Sequence, residues 1–334
     1  MATLPLLPQS GNKLVGIARL AASGESLRLG HDVEYFTLPV RSLLNRCVSK
    51  RQMPFTWTIN PYRGCEFACK YCYARYTHEF MEMRDGADFE QKIYVKQHAS
   101  DLLRQELRQV KAGESIAIGT ATDPYQPAER KFEVTRAILE EFVLHEGLEL
   151  GIVTKSNLVT RDLDLLKRIS QRNRVSVSVT VTTLKVDLAR ILEPRAPRPD
   201  LRLDAVRQLN QAGVHAGVNC CPVLPGITDS PRDLDSVVRA AAAAGAKHIH
   251  ANPLFLKPCS AAVFLPFLDK EFPELAASYR QRYDGRAFLP KSYHERTSQL
   301  MARLRQKHGI VGQREREGTR LRELYAGAAQ MKLF

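Results

Sequence analysis

The chain has 334 residues, 44% of them hydrophobic and 25% charged, a balance that excludes disordered, fibrous and collagen-like classes. Its net charge of +13 permits contact with polyanions such as nucleic acid. The longest nearly uninterrupted apolar run, Val237 to Ala246, carries Arg239 and is too short to cross a bilayer, so no membrane partner is expected.

In chain order, the opening MATLPLLPQSGNK lacks a basic start before an apolar core, so no secretory leader is expected and the location expected is cytoplasmic. Residues 1–52 show no sustained period, and VEYFTLPVRSLL suggests one short strand or extended stretch of an N-terminal segment packing on the main body. From Phe55 the pattern changes: FTWTIN, ESIAIGT, LELGIVTKS, RVSVSVTVTT, VHAGVNCCPV and AKHIHANP alternate with amphipathic stretches. Six strands with helices between them predict βαβ units and a parallel sheet over residues 53–255. The helices carry ordinary punctuation, with Gly113, Gly213 and Gly245 as stops and Ser230-Pro231 as a start. After Pro253 the strand rhythm ends. FLPFLDKEFPELAASYRQRY, YHERTSQLMARLRQKHG and GTRLRELYAGAAQ predict a helical extension over 256–334, where Arg280 to Arg322 holds twelve basic residues against four acidic ones.

RVSVSVTVTT alternates Val175, Val177, Val179 and Val181 with Ser176, Ser178, Thr180 and Thr182, so one face is apolar and the other hydroxylated. Under a layer of helices the valines face out and the hydroxyls line the interior, which suits a ligand held inside; a strand exposed on one side would show the same alternation.

GCEFACKYCYARYTHEF, residues 64–80, packs Cys65, Cys69 and Cys72 into eight residues. Seven cysteines, three of them clustered, point to metal or catalytic sulfur rather than a disulfide framework. Structural zinc takes four protein ligands, and His78 is the local fourth candidate, giving a zinc-binding nucleic-acid protein without catalysis. Three thiolates more naturally hold an iron-sulfur cluster with one iron open for chemistry. An electron-transfer cluster would need a fourth thiolate, with Cys47 or Cys259 brought near by folding.

The spacing Cys65-x3-Cys69-x-Tyr71-Cys72 resembles the radical S-adenosylmethionine signature, and it follows the first predicted strand. INPYRGCEFACKYCYAR, GTATDPYQPAER, VTKSNLVTRDLDLL and LEPRAPRPDLRLDAVRQLNQAG extend the likeness to the spore photoproduct lyase-like branch over residues 55–255. The resemblance implies a partial (β/α)6 barrel and two cofactors, a 4Fe-4S cluster on Cys65, Cys69 and Cys72 and S-adenosylmethionine on the open iron. It also implies a reducing partner of flavodoxin or ferredoxin type, reductive cleavage to a 5'-deoxyadenosyl radical, and hydrogen abstraction from a substrate, with damaged nucleic acid the first candidate and a peptide or small metabolite the alternatives.

The same resemblance assigns Tyr71, Thr122, Asp123, Lys155 and Ser178 to cofactor binding, with Lys155 at the carboxylate and Thr122 near the amino group. Read from the residues alone, Thr122 and Asp123 also fit a capped turn. The lyases carry a hydrogen-donating cysteine where this chain has Thr120, whose O-H bond is too strong for that task. Cys220 and Cys221 offer a thiol instead, with Cys221 the candidate donor. His248, His250 and Asn252 share one strand face as candidate substrate contacts, and Tyr62, Arg63, Tyr73 and Arg75 flank the cysteine loop as its cover.

Overall fold

The computed structural model describes residues 14–30, 32–48 and 55–310. Its main sheet contains all six predicted strands: β4 (Trp57–Ile59), β7 (Ser115–Ile118), β8 (Glu149–Thr154), β9 (Arg174–Thr180), β10 (His215–Val223) and β11 (Ile249–Pro253). They pair in parallel in the order β4-β7-β8-β9-β10-β11, each joined to the next by a helix-bearing crossover. Chain order and spatial order coincide, which is the topology of a right-handed barrel wall. The wall stays open, because β3 (Leu44–Arg46) pairs antiparallel with β4 and ends that side. The fold is thus an α/β partial barrel.

Outward-facing strand residues make the core. Ile116, Ile152, Val177 and Val218 are at most 1% exposed and pack with Leu166, Ile169, Val206, Leu209 and Val238 from the crossover helices. The opposite face stays polar. On β9 the valines lie in this core, while Ser176 and Ser178 are half-buried on the concave side, bonded to His215 (3.5 Å) and His248 (2.9 Å).

The N-terminal stretch does more than lie on the barrel as one extended segment. A helix at Gly16–Ala22 precedes strands β1 (Ser26–Gly30) and β2 (Val33–Leu38), which enter a second sheet with β6 (Lys92–Lys96) and β5 (Tyr62–Arg63), in the order β1-β2-β6-β5. β2 runs parallel to β6. Neither β6 nor the helix at Gly16–Ala22 stands out in the sequence, because KIYVK is short and its burial is supplied by a distant partner. This small sheet sets the entry to the cysteine loop, since β5 ends at Arg63 and Gly64 follows.

At the other end, helices Pro258–Glu271, Pro273–Arg282 and Lys291–Lys307 follow β11. Met301 and Leu304 of the last one join the main core, and Lys307 and His308 bond Asp235 at 2.8 and 2.9 Å. The extension therefore shares the barrel's core. The expected helix GTRLRELYAGAAQ and much of the basic run after Ile310 lie outside the described residues.

Gly217 on β10 shows how tightly the concave face is built. A Cβ there would stand 2.3 Å from the His248 carbonyl oxygen and 2.6 Å from the His248 ring. Gly217→Ala is therefore expected to destabilise the protein by about 1–3 kcal/mol through overpacking against backbone. Urea denaturation measures this; an unchanged midpoint would show that β10 and β11 part without cost.

Candidate active site at the barrel mouth

Cys65, Cys69 and Cys72 lie on the loop leaving β5, as free thiols, the first two buried and the third half-buried. The loop is held from three directions. Gly64 takes φ of +82°, and a Cβ would fall 2.7 Å from Lys92 O and 2.9 Å from Phe89 O, so only glycine fits. Its carbonyl accepts from the Thr122 hydroxyl at 2.6 Å and the Gln126 amide at 3.2 Å. Gln126 also accepts from Glu66 N (2.9 Å), while Glu66 accepts from Ala128 N (2.7 Å) and the Tyr35 hydroxyl (2.9 Å).

Arg75, 3% exposed, donates to Cys69 O at 3.1 Å, pairs with Glu90 at 2.6 Å and reaches Gly86 O. Ser260, at the start of the helix Pro258–Glu271, donates to Cys72 O at 2.8 Å. A loop that would otherwise be mobile is thereby fixed by buried bonds.

Burial pushes all three thiols up: Cys65 well above its ordinary range, Cys69 to about 12, and Cys72 less far. Asp123 and the other two cysteines add to the rise at Cys65, whereas Lys155 opposes it at Cys69 and Arg75 and Lys155 oppose it at Cys72. As free thiols these groups are unreactive, and a bound cation would reverse the balance.

Among the described residues no three His, Cys, Asp or Glu side chains are grouped to hold a single metal ion. The zinc reading through His78 does not fit this arrangement. His78 is buried, its Nε2 lies 3.2 Å from Lys92 O, its Nδ1 has no partner among the described residues, and burial lowers it to about 4. A cluster spreads its ligands over several irons, so three soft thiols on one loop suit it without convergence on a point.

The residues singled out at the strand ends divide by role. Asp123, after β7, accepts from the Thr154 hydroxyl (2.6 Å), Tyr125 N (2.9 Å) and Lys155 N (2.7 Å), stitching the ends of β7 and β8 together. Both its oxygens are taken by protein, as is the Thr122 hydroxyl. Lys155 leaves its ammonium 5.6 Å from the centre of the Tyr71 ring. Burial alone would lower Lys155, but Cys69, Glu193 and Asp123 outweigh it and hold the ammonium protonated. Ser178 sits lower on β9, bonded to His248.

Thr120 accepts from the Asn60 amide at 3.2 Å, and its carbonyl accepts from the Tyr73 hydroxyl. The two neighbouring cysteines face opposite ways. Cys220 is fully buried in the core, while Cys221 is half-buried, its Sγ 4.0 Å from His250 O. Burial raises Cys221 to about 11, so it stays a thiol at neutral pH. His250 and Asn252 are exposed on the concave face.

Two groups here escaped the sequence reading. Tyr71 donates to Glu193, which also accepts from Thr182 (2.9 Å) and pairs with Arg202 at 2.5 Å, both charges 1% exposed. Burial raises Glu193, but Arg202 and Lys155 outweigh it and hold it below the usual carboxylate range. Only the run LEPRAPRPDLRLDAV hinted at this pair, without saying which charges meet. Second, His215 of β10 stacks on His248 (5.2 Å, 12°), which lies 5.2 Å from His250, so the two expected imidazoles belong to a row of three. Burial lowers His215 and, to about 3, His248.

An open α/β barrel with three thiols clamped at its strand ends defines an enzyme whose chemistry is carried by a metal cofactor. Residues 59–237 match the model of the radical SAM superfamily, and the chain belongs to that superfamily as a radical S-adenosylmethionine enzyme. Membership implies S-adenosylmethionine, an iron-sulfur cluster and a source of electrons. An uncharacterized protein of Mycobacterium tuberculosis strain H37Rv is 37% identical over 273 residues, spanning 81% of this chain and 80% of its own. One of Methanocaldococcus jannaschii is 32% identical over 173 residues, 52% of this chain and 62% of its own. A spore photoproduct lyase mutant with bound AdoMet and dinucleoside spore photoproduct shares the fold, with a TM-score of 0.63 at 17% identity over 82% of this chain and 79% of that one.

The buried Glu193–Arg202 pair gives a direct test. Arg202→Met should cost about 3–5 kcal/mol at neutral pH, because it strands a buried carboxylate. Glu193 is depressed in the folded protein, so its contribution is complete above about 4.3, the ordinary glutamate value, and is lost as pH falls through the lower folded value. The gap between parent and variant should therefore narrow in acid, as followed by urea denaturation from pH 7 to pH 3; a gap that widens in acid would contradict the ion pair.

Proposed function

We propose that Cys65, Cys69 and Cys72 hold a 4Fe-4S cluster that cleaves S-adenosylmethionine reductively, and that nucleic acid is the substrate. The observation that carries the cluster reading is the set of three free thiols, two buried and one half-buried, on one clamped loop with a protonated lysine beside them. When bound, the cluster supplies the electron that breaks the sulfonium bond and yields a 5'-deoxyadenosyl radical.

The chain's own residues do the positioning. Lys155 offers its ammonium to the carboxylate of S-adenosylmethionine, and Asp123 aims it by gripping the Lys155 backbone. Thr122 acts on the loop through the Gly64 carbonyl rather than by a free hydroxyl. Tyr71 closes the space beside the thiols and is fixed by Glu193. Ser178 lines the floor with His248. Cys221, protonated and on the concave face, is the candidate hydrogen-atom donor that Thr120 cannot be. The nucleic-acid reading is supported by the charge of +13 and by the fold shared with a lyase that binds a dinucleoside spore photoproduct. An electron donor of flavodoxin or ferredoxin type would supply the reducing equivalent.

Anaerobic reconstitution should give brown protein with about four irons per chain, forming 5'-deoxyadenosine once reduced with S-adenosylmethionine. Cys69→Ala should lose both iron and cleavage, and parent-like behaviour would sink the assignment. Lys155→Met should raise the KM for S-adenosylmethionine about 10- to 100-fold, the worth of one hydrogen bond to a charged group. With ultraviolet-irradiated DNA, Cys221→Ala should lower repaired product per 5'-deoxyadenosine formed. Unaltered photoproduct in the parent reaction would exclude this substrate.

A further inference from the structure

Between the N-terminal sheet and the barrel mouth lies a cavity of about 710 Å³, inside the range of small-molecule sites. Four of the described residues lining it are cationic, Arg19, Arg41, Arg63 and Lys96, and none is acidic. Arg19 and Arg41 are exposed at its rim and Arg63 is half-buried. Lys96 is 6% exposed, and among the described residues its ammonium has no hydrogen-bond or ion-pair partner. The other buried cations of this fold do have one: Arg75 with Glu90 and Arg202 with Glu193.

A buried charge without a partner is costly, so such a group either gives up its charge or is completed by something else. The acid that acts on Lys96 is Glu106, whose Oε2 is already engaged by Leu43 N (3.0 Å) and Leu44 N (2.7 Å). Burial, reinforced by Arg63 and opposed by Glu106, pushes Lys96 down to about 7. Arg63 donates to Thr77 O at 3.2 Å, while its buried Nε has no partner among the described residues.

We propose that this cavity is an anion site for the phosphate group of a phosphorylated small molecule, held against Lys96 and Arg63, with Arg19 and Arg41 drawing it in from the rim. A phosphate supplies the several acceptor oxygens that a lysine and a guanidinium need together. Tyr76 and Phe80 line the cavity and offer an apolar wall to the rest of the ligand, and Asn60 and Ala121 carry it to the turn after β7. Its lining reaches the cysteine loop, Arg63 standing two residues before Cys65, but anion binding there does not depend on radical chemistry.

The test is titration of the full chain with inorganic phosphate, ribose 5-phosphate or neutral ribose at constant ionic strength, without reductant or S-adenosylmethionine, reading Tm and affinity. Phosphate and ribose 5-phosphate should raise the Tm and ribose should not. Tighter binding of ribose 5-phosphate assigns the site to a phosphorylated ligand, and equal binding assigns it to the free anion. Lys96→Met should weaken phosphate at least about tenfold while leaving the ligand-free Tm equal or higher, because the uncompensated charge is gone. A lysine serving only the fold would give a lower Tm instead. Should that variant not fold, Arg41→Gln at the exposed rim should weaken phosphate about threefold. No response of the parent to either phosphate up to about 10 mM, a parent-like affinity in Lys96→Met, or an unchanged one in Arg41→Gln would overturn the proposal.

Discussion

The Gly64 carbonyl oxygen is the point on which the rest of the site turns. It accepts from Thr122 and Gln126, both on the turn after β7, and so ties the cysteine loop to the neighbouring strand end. Two glycine properties make this possible, a left-handed φ and the absence of a Cβ that would strike Lys92 O and Phe89 O. Because β6 ends the Phe89–Lys92 stretch in the small sheet, the N-terminal strands as well as the barrel hold the loop. The second sheet is thus part of the apparatus that positions the thiols.

Around that point the fold buries charge in compensated groups. Glu129 is fully buried and takes the Tyr62 hydroxyl at 2.5 Å, Thr135 N at 2.8 Å and Arg161 at 2.7 Å. Glu193 is saturated in the same way by Tyr71, Thr182 and Arg202. Such networks favour one arrangement when every member is satisfied, and they are expensive when one is lost. The Glu193 network fixes the Tyr71 hydroxyl, and with it the ring that faces Lys155.

Much of this was legible in the sequence, for a physical reason. Parallel strands buried under helices leave strong local patterns, and all six appeared, down to the valine and hydroxyl faces of RVSVSVTVTT. The cysteine spacing was equally local. What stayed hidden depends on distant partners. β6 gains its burial from β2, nearly sixty residues earlier. Glu193 and Arg202 look like ordinary helix charges until folding encloses both. His215 joins His248 only because Gly217 lets the two strands approach. The turn at Thr122 and Asp123 carried two readings, capped turn and cofactor contact; their side-chain bonds within the protein match the first, and the second is a proposal that rests on Lys155.

The electrostatics of the mouth give Lys155 a further part in the proposed reading. Metal binds thiolates, so filling the site must release protons from three thiols that burial holds up. Lys155 is a named opposing influence at both Cys69 and Cys72, and those thiols are in turn among the groups that keep it charged. Lysine and loop therefore titrate as one system, in which a cation beside the ligands favours the ionised thiols. Neutralising Lys155 would then act twice, weakening contact with a bound carboxylate and making the thiols harder to ionise. These effects differ in pH dependence: lost carboxylate contact is nearly flat around neutrality, whereas impaired ionisation eases as pH rises.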